Sequence, residues 1–276
     1  MEILYSILIA FGGGVFGTLI GGTTSFIFTG LLGMVGIGVL LASGNDIILN
    51  NVAFGPLFGP HVAFVGSVAA TAYAARLKKV EDGSDTTVPL FTTQEPSVLL
   101  IGGTFGVIGF FVNELWVTLG LKMDTIALTV LVCGIVCRLL FGKSGLTGVF
   151  DASEKRYNFT AKSMLFQSIW SFFISLVISF VVIKLQVNNI GFTIGAVSLI
   201  FLYFGLDFPI THHVLMVAGF AALVFNNIFI AAAFGVVACI LGEFIQRTFN
   251  TNVDSHIDMP ASVIAPLSFI ILTIFG

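Results

Sequence analysis

A chain of 276 residues that is 57% hydrophobic and only 9% charged has too little polar surface to cover itself in water, since an ordinary soluble domain carries about 25% charged residues. Its 11 basic and 14 acidic residues leave a net charge of −3 and form no basic run longer than the pairs Lys78-Lys79 and Lys155-Arg156, which removes any support for a nucleic-acid surface. Cys133, Cys137 and Cys239 all lie inside apolar runs, where cysteine behaves as a small hydrophobe, so neither disulfides nor thiol chemistry are expected.

The charges gather between apolar runs of about 15 to 20 residues, and a hydrocarbon core about 30 Å thick needs roughly 20 apolar residues per spanning helix. Backbone polar groups in lipid must be satisfied within the segment, so repeated runs of this kind predict an all-α polytopic membrane protein. Residues 3–20 form the first span. They lack the basic flank and small-residue cleavage pattern of a secretory signal. A second span follows at 26–41. Residues 47–58 are apolar but carry Asn50 and Asn51 and are interrupted by Gly55-Pro56 and Gly59-Pro60. At 1.5 Å per residue such a stretch reaches only about 18 Å, too short to cross. Further spans are predicted at 62–77, 98–112 and 126–141, then a hydrophilic loop at 142–162, then spans at 165–183, 190–204, 213–225, 228–244 and 261–275. The total is about ten, within a range of 9 to 11 that depends on how the short segments run.

The order of features before and after the loop is similar, which predicts a first transmembrane repeat over 1–123, a linking helix and loop over 124–162, and a second repeat over 163–276. In each half a short broken or re-entrant segment (46–61, 211–227) precedes a small-residue helix ending at Arg76 or Arg247. An acidic loop and an acid-proline helix start then follow, Glu95-Pro96 or Asp258-Met259-Pro260. Basic residues favour cytoplasmic loops. Arg76, Lys78, Lys79, Arg138, Lys143, Lys155, Arg156 and Lys162 therefore put the loop side in the cytoplasm and the N-terminus outside, with the inner membrane of a prokaryote as the expected setting.

Matched Gly/Pro-broken segments in two halves are the best sequence pointer to the site of a secondary transporter, because a helix that stops inside a membrane exposes main-chain groups that only protein, water or a solute can complete. The substrate-binding or ion-coupling candidates are therefore Asn45, Asp46, Asn50, Asn51 and His61 in the first half, and Asp207, His212, His213, Asn226 and Asn227 in the second. Adjacent histidines face different sides of a helix, so at most one of His212 and His213 is expected to face inward. Glu95 and Asp258 are read as acids that start helices, where a carboxylate complements the helix dipole. Gly13, Gly17 and Gly21, like Gly102 and Gly106, recur at four-residue intervals and predict close helix packing.

These features predict a permease that moves a small solute or ion by alternating access, with proton or sodium coupling a further option. The alternatives are a passive channel with re-entrant filter segments and an intramembrane metal-dependent enzyme built on the histidines. No Walker A sequence is present, no cofactor or metal site is expected, and enzymatic activity is not. Expected partners are membrane lipid and the transported species. The residues do not name that species, and they leave open whether copies associate into a homo-oligomer.

Overall fold

A computed structural model describes residues 1–150 and 155–276, so the middle of the expected 142–162 loop, residues 151–154, lies outside the described residues. All regular secondary structure among the described residues is helical, with α1 (Glu2–Ile20), α2 (Gly22–Ser43), α3 (Val65–Arg76), α4 (Pro96–Thr118), α5 (Thr125–Phe141), α6 (Ala161–Leu185), α7 (Asn189–Ser198), α8 (Ile200–Tyr203), α9 (His212–Phe225), α10 (Ile228–Phe249) and α11 (Met259–Phe269). Five helices, Ile3–Ile20, Gly22–Ser43, Pro96–Thr118, Ala161–Leu185 and Ile228–Phe249, are long and apolar enough to cross a bilayer; Thr125–Phe141, Asn189–Tyr203, His212–Phe225 and Met259–Phe275 are shorter apolar helices.

The distribution of residues across each helix is that of a membrane-embedded bundle. On α6 the side chains of Ser171, Ser175 and Ser179 are fully buried, whereas Phe173, Val177 and Phe180 are 61%, 65% and 55% exposed. Small residues face the neighbouring helices and large apolar ones face outward, because lipid solvates phenylalanine as well as protein does and close backbone approach supplies the packing. The glycines behave accordingly. A Cβ on Gly17 would lie 2.2 Å from the Ala63 carbonyl oxygen, and one on Gly106 would lie 2.7 Å from that of Ala10. Gly21 instead sits at φ +92 in the corner between α1 and α2, a left-handed conformation that side chains disfavour.

Contacts between elements fix the chain's direction. Gly102 of α4 lies against Thr18 and Gly106 against Ala10, so α1 and α4 run antiparallel. We call the end where α1 starts the near face and the opposite end the far face. The α5 start and the Ile270–Phe275 extension of α11 share the near face, where Thr273 Oγ1 donates to the Lys122 carbonyl at 3.0 Å. The ends of α3 and α5 share the far face, where Arg76 Nη1 donates to the Leu140 carbonyl at 3.2 Å.

Of the two forms open for the short segments, broken or re-entrant, the structure has the broken one: each leads into a helix that runs on toward the opposite face. After α2, a wide π-helical turn at Ile48–Ala53 and a tight turn carry the chain inward to Pro56 and Leu57, whose carbonyls pack on Gly13 in the middle of α1. The π-helical turn Pro60–Phe64 then starts at buried residues and runs without a break into α3 toward the far face. In the second half, residues 206–211 are non-helical and α9 begins at buried His212, beside Gly195 of α7. It ends near Asn188 on the near face, since Gly219 packs on the Asn188 carbonyl. Thus α9 itself is unbroken and the interruption lies before it. A proline or an extended stretch stops the ladder at these points, leaving both helix starts inside the bundle.

Helix starts elsewhere are capped as the residue types require. Asp124 Oδ1 accepts the Ala127 N–H at 2.8 Å, and Asp258 Oδ2 accepts the Ala261 N–H at 2.7 Å. Glu95 accepts from both the hydroxyl (2.8 Å) and the N–H of Ser97, which together hold its carboxyl below the usual range, and it lies 3.9 Å from Lys79. At the far face Arg138 is 1% exposed and binds the 142–149 and 249–255 segments through Ser255 Oγ at 3.0 Å, the Leu146 carbonyl at 2.8 Å, and the carbonyls of Phe249 and Ser255. Asp254 closes the same cluster. Burial pushes its carboxyl up, but hydrogen bonds from Ser144 Oγ and the Lys143 N–H outweigh that and hold it below the usual range.

The tightest helix contact gives a direct test of the packing. A Cβ on Gly109 would lie 1.8 Å from the His61 carbonyl oxygen, which is backbone and cannot swing away, whereas one on Gly12 meets nothing within 4 Å. Overpacking of this kind costs about 1–3 kcal/mol. Gly109→Ala is therefore expected to lower the thermal unfolding temperature in detergent, while Gly12→Ala leaves it unchanged. Equal unfolding temperatures for the two variants would contradict the contact between α4 and the Pro60–Phe64 turn.

Candidate functional site

Two cavities penetrate the bundle from opposite faces. The near one, about 280 Å³, is lined at its outer end by Asn50, Asp124, Thr125, Asn188 and Asn189, which belong to near-face turns and helix starts. The far one, about 110 Å³, is lined at its outer end by Thr86, Thr87, Leu202, Gln246 and His256. Both end on the same four residues, Phe26, His212, Asp258 and Pro260. These come from α2, the start of α9 and the start of α11, so the wall between the cavities lies where broken or freshly started helices meet.

His212 occupies the centre of that wall. It is 3% exposed, and neither ring nitrogen has a hydrogen-bond partner. Its ring lies 4.9 Å from Phe26 and 5.7 Å from Phe192 between centroids, and Phe192 in turn lies 5.2 Å from Phe26 and 5.4 Å from Phe54. A buried imidazole with two unanswered nitrogens is costly unless water or a ligand completes it, which makes it a candidate for contact with whatever fills the cavities. Asp258 beside it shares its carboxylate between the Ala261 N–H and His256 Nε2, the latter at 3.5 Å. No lysine or arginine lines either cavity.

The chain belongs to a family. Its model, described as a family of unknown function (DUF7973), matches residues 1–160 and 166–276. No curated protein and no solved structure matches the chain. The matched family therefore carries no activity to transfer, and the site's own chemistry has to supply the functional reading.

The residues singled out from the sequence separate into groups. His212 and Asp258 meet on the dividing wall, and Asn50 lies at the mouth of the near cavity. His213 faces the other way, against Gly242 of α10, and lines a third cavity of about 750 Å³ with Asp207 and Glu243. Both histidines are buried and each lines its own cavity, where the sequence predicts at most one inward-facing ring. His61 is buried, with Nδ1 unpartnered, and packs on α4 rather than on the dividing wall. Asn45, Asp46 and Asn51 are exposed and bind their own segment: Asn45 Oδ1 accepts the Ile47 N–H, Asp46 accepts from Asn50 Nδ2 at 2.7 Å, and Asn51 donates to the Ile47 carbonyl. Asn226 and Asn227 correct the second-half reading. Asn226 ends α9 at φ 47, and Asn227 caps α10 by accepting from the Phe229 and Ile230 N–H groups, so their side chains form an exposed turn away from both central cavities. Glu95 starts α4 as expected.

Phe26, Asp124, Asn188, Asn189 and Phe192 were not legible as site residues. Asp124 had one available signal, because Asp124-Thr125-Ile126-Ala127 matches Asp258-Met259-Pro260-Ala261 in the spacing of acid and alanine.

Proposed function

We propose that this protein is a secondary carrier that moves a small solute across the membrane by alternating access. The observation that carries the reading is the pair of cavities entering from opposite faces and stopping on one shared wall of Phe26, His212, Asp258 and Pro260. A carrier needs a central site reachable from one side at a time, and interrupted helices at the meeting point of two halves are how many carriers build one.

The reading includes an inverted duplication, with its boundary after α5 and not at 123. Each unit has five crossings, α1 to α5 and α6 to α11, with α7 and α8 together making one crossing and α3 and α9 counted with the interrupted stretches before them. Gly102 and Gly109 of α4 recur as Gly235 and Gly242 of α10. The first of each pair packs on a hydroxyl side chain, Thr18 or Ser175, and the second on a histidine, His61 or His213. Contacts between α5 and α11 are reciprocal: the Asp124 N–H donates to Ser268 Oγ at 2.9 Å, while Gly134 faces the Asp258 backbone nitrogen. An odd number of crossings per unit turns the second over relative to the first, and the ten crossings return the chain to the near face. Basic residues favour the cytoplasmic side, and only Lys122 and Lys184 of the 11 lysines and arginines belong to near-face turns. The far face is then cytoplasmic and the near face external. The channel alternative draws less support, because a pore needs a continuous path and the wall interrupts it.

Arg138 links α5 of the first unit to the Phe249–Ser255 segment of the second, which narrows the far face, where the cavity is the smaller of the two. The test follows from that asymmetry. In a background with Cys133, Cys137 and Cys239 replaced, single cysteines at Asn189 and Leu202 report the near and far cavities to an impermeant maleimide applied to sealed vesicles of either orientation. Asn189→Cys is expected to react only from outside and Leu202→Cys only from the cytoplasmic side. Adding Arg138→Lys should speed the far site and slow the near one. If both sites react from one side, or both rates rise together, alternating access is wrong.

A further inference from the structure

We infer that the central site takes a small organic ammonium cation, R–NH3+, bound at the carboxylate of Asp258 beside His212 and the ring faces of Phe26, Phe54 and Phe192, with Asp124, roughly 15 Å away along α11, adding negative charge at the mouth of the cavity. The inference deepens the carrier reading but rests on it only for the route, since binding is a property of the cavity itself.

Five observations converge. The near cavity carries two carboxylates and no lysine or arginine along its lining, so its field draws in a cation over an anion. His212 presents two unpartnered nitrogens at 3% exposure on the cavity wall, and a neutral imidazole offers one acceptor to an ammonium N–H. Phe26, Phe54 and Phe192 form a chain of rings with centroids 5.2 and 5.4 Å apart along the same lining, a surface that attracts a cation by its quadrupole and shelters an alkyl group. Among the described residues no three His, Cys, Asp or Glu side chains gather closely enough to hold a metal ion, which leaves a hydrogen-bonding organic cation as the fit for this set of acceptors. The volume of about 280 Å³ lies at the small end of ligand sites, which suits a short alkyl or compact aromatic amine.

Both acids also cap helices, which makes a clean charge test available: asparagine caps a helix as well as aspartate does, so Asp124→Asn and Asp258→Asn remove the charge and keep the fold. Purified protein in detergent would be titrated calorimetrically with a series from methylammonium to hexylammonium, and with butanol and butyrate as neutral and anionic probes matched to butylammonium. Saturable binding of at least one ammonium ion is expected, with butanol and butyrate inert over the same range. Asp258→Asn should weaken that binding by about tenfold or more, the scale of one lost charged hydrogen bond, and Asp124→Asn should weaken it by less, with both ligand-free unfolding temperatures unchanged. Butyrate or butanol binding as tightly as butylammonium, no member of the ammonium series binding, or an Asp258→Asn variant with undiminished affinity would each overturn the assignment. Uptake by proteoliposomes separates the two ideas. Ammonium binding without uptake sinks the carrier and leaves the cation site, whereas saturable uptake of only a neutral or anionic solute does the reverse.

Discussion

Arg138→Leu is expected to leave little or no folded protein in the membrane. The guanidinium is 1% exposed and satisfies Ser255 Oγ together with the carbonyls of Leu146, Phe249 and Ser255. Hydrogen bonds to a charged donor are worth about 1.5–3 kcal/mol each, and a buried acceptor left without a partner costs about 1–3 kcal/mol. Leucine strands several acceptors at once, a loss comparable with a net stability of about 5–15 kcal/mol. The readout is the monodisperse peak on size exclusion after extraction in mild detergent, together with its unfolding temperature. Arg138→Lys keeps one charge and part of the network, so it should retain a folded but less stable species. A Leu variant with wild-type yield and unfolding temperature would show that the loops at the far face hold their shape without Arg138.

Phe26→Ala is expected to convert the protein into a leak. The Phe26 ring borders both cavities, and its removal takes away one of the four side chains that divide them. Cutting a packed phenylalanine to alanine ordinarily costs about 3–5 kcal/mol. Here the ring already faces open space on two sides, so the stability loss should fall at or below the lower end, and the dominant change should be a continuous wet path. In proteoliposomes under an imposed membrane potential, the passive flux of methylammonium should rise by an order of magnitude or more over wild type. Phe173→Ala, which removes an outward ring that is 61% exposed, serves as the control and should leave flux at the wild-type level. Wild-type flux through Phe26→Ala would mean that His212 and Asp258 close the path without the ring.

The contrast between these two positions shows how the chain divides its information. Arg138 could be read from the sequence as a basic residue at the end of an apolar run, and hence as marking a loop side; nothing local says that it is buried and bound to a segment 111 to 117 residues away. Phe26 could be read only as one of 30 phenylalanines. The same holds for His212 and His213, adjacent in sequence yet set against different cavities because α7 packs on one and α10 on the other.

What the sequence by itself determined was the solvent: the shortage of charge, the length of the apolar runs and the small-residue stripes require lipid outside and close helix contacts inside. It also determined the local events that depend on neighbouring residues alone, such as the carboxylate caps at Glu95 and Asp258 and the interruption around the two Gly-Pro pairs. Only the tertiary structure decided which side chains share the dividing wall. That wall is assembled from α2, α9 and α11, whose meeting depends on crossing angles and backbone approach set by every helix pair in the bundle, and those long-range contacts leave no periodic trace in any one stretch of chain.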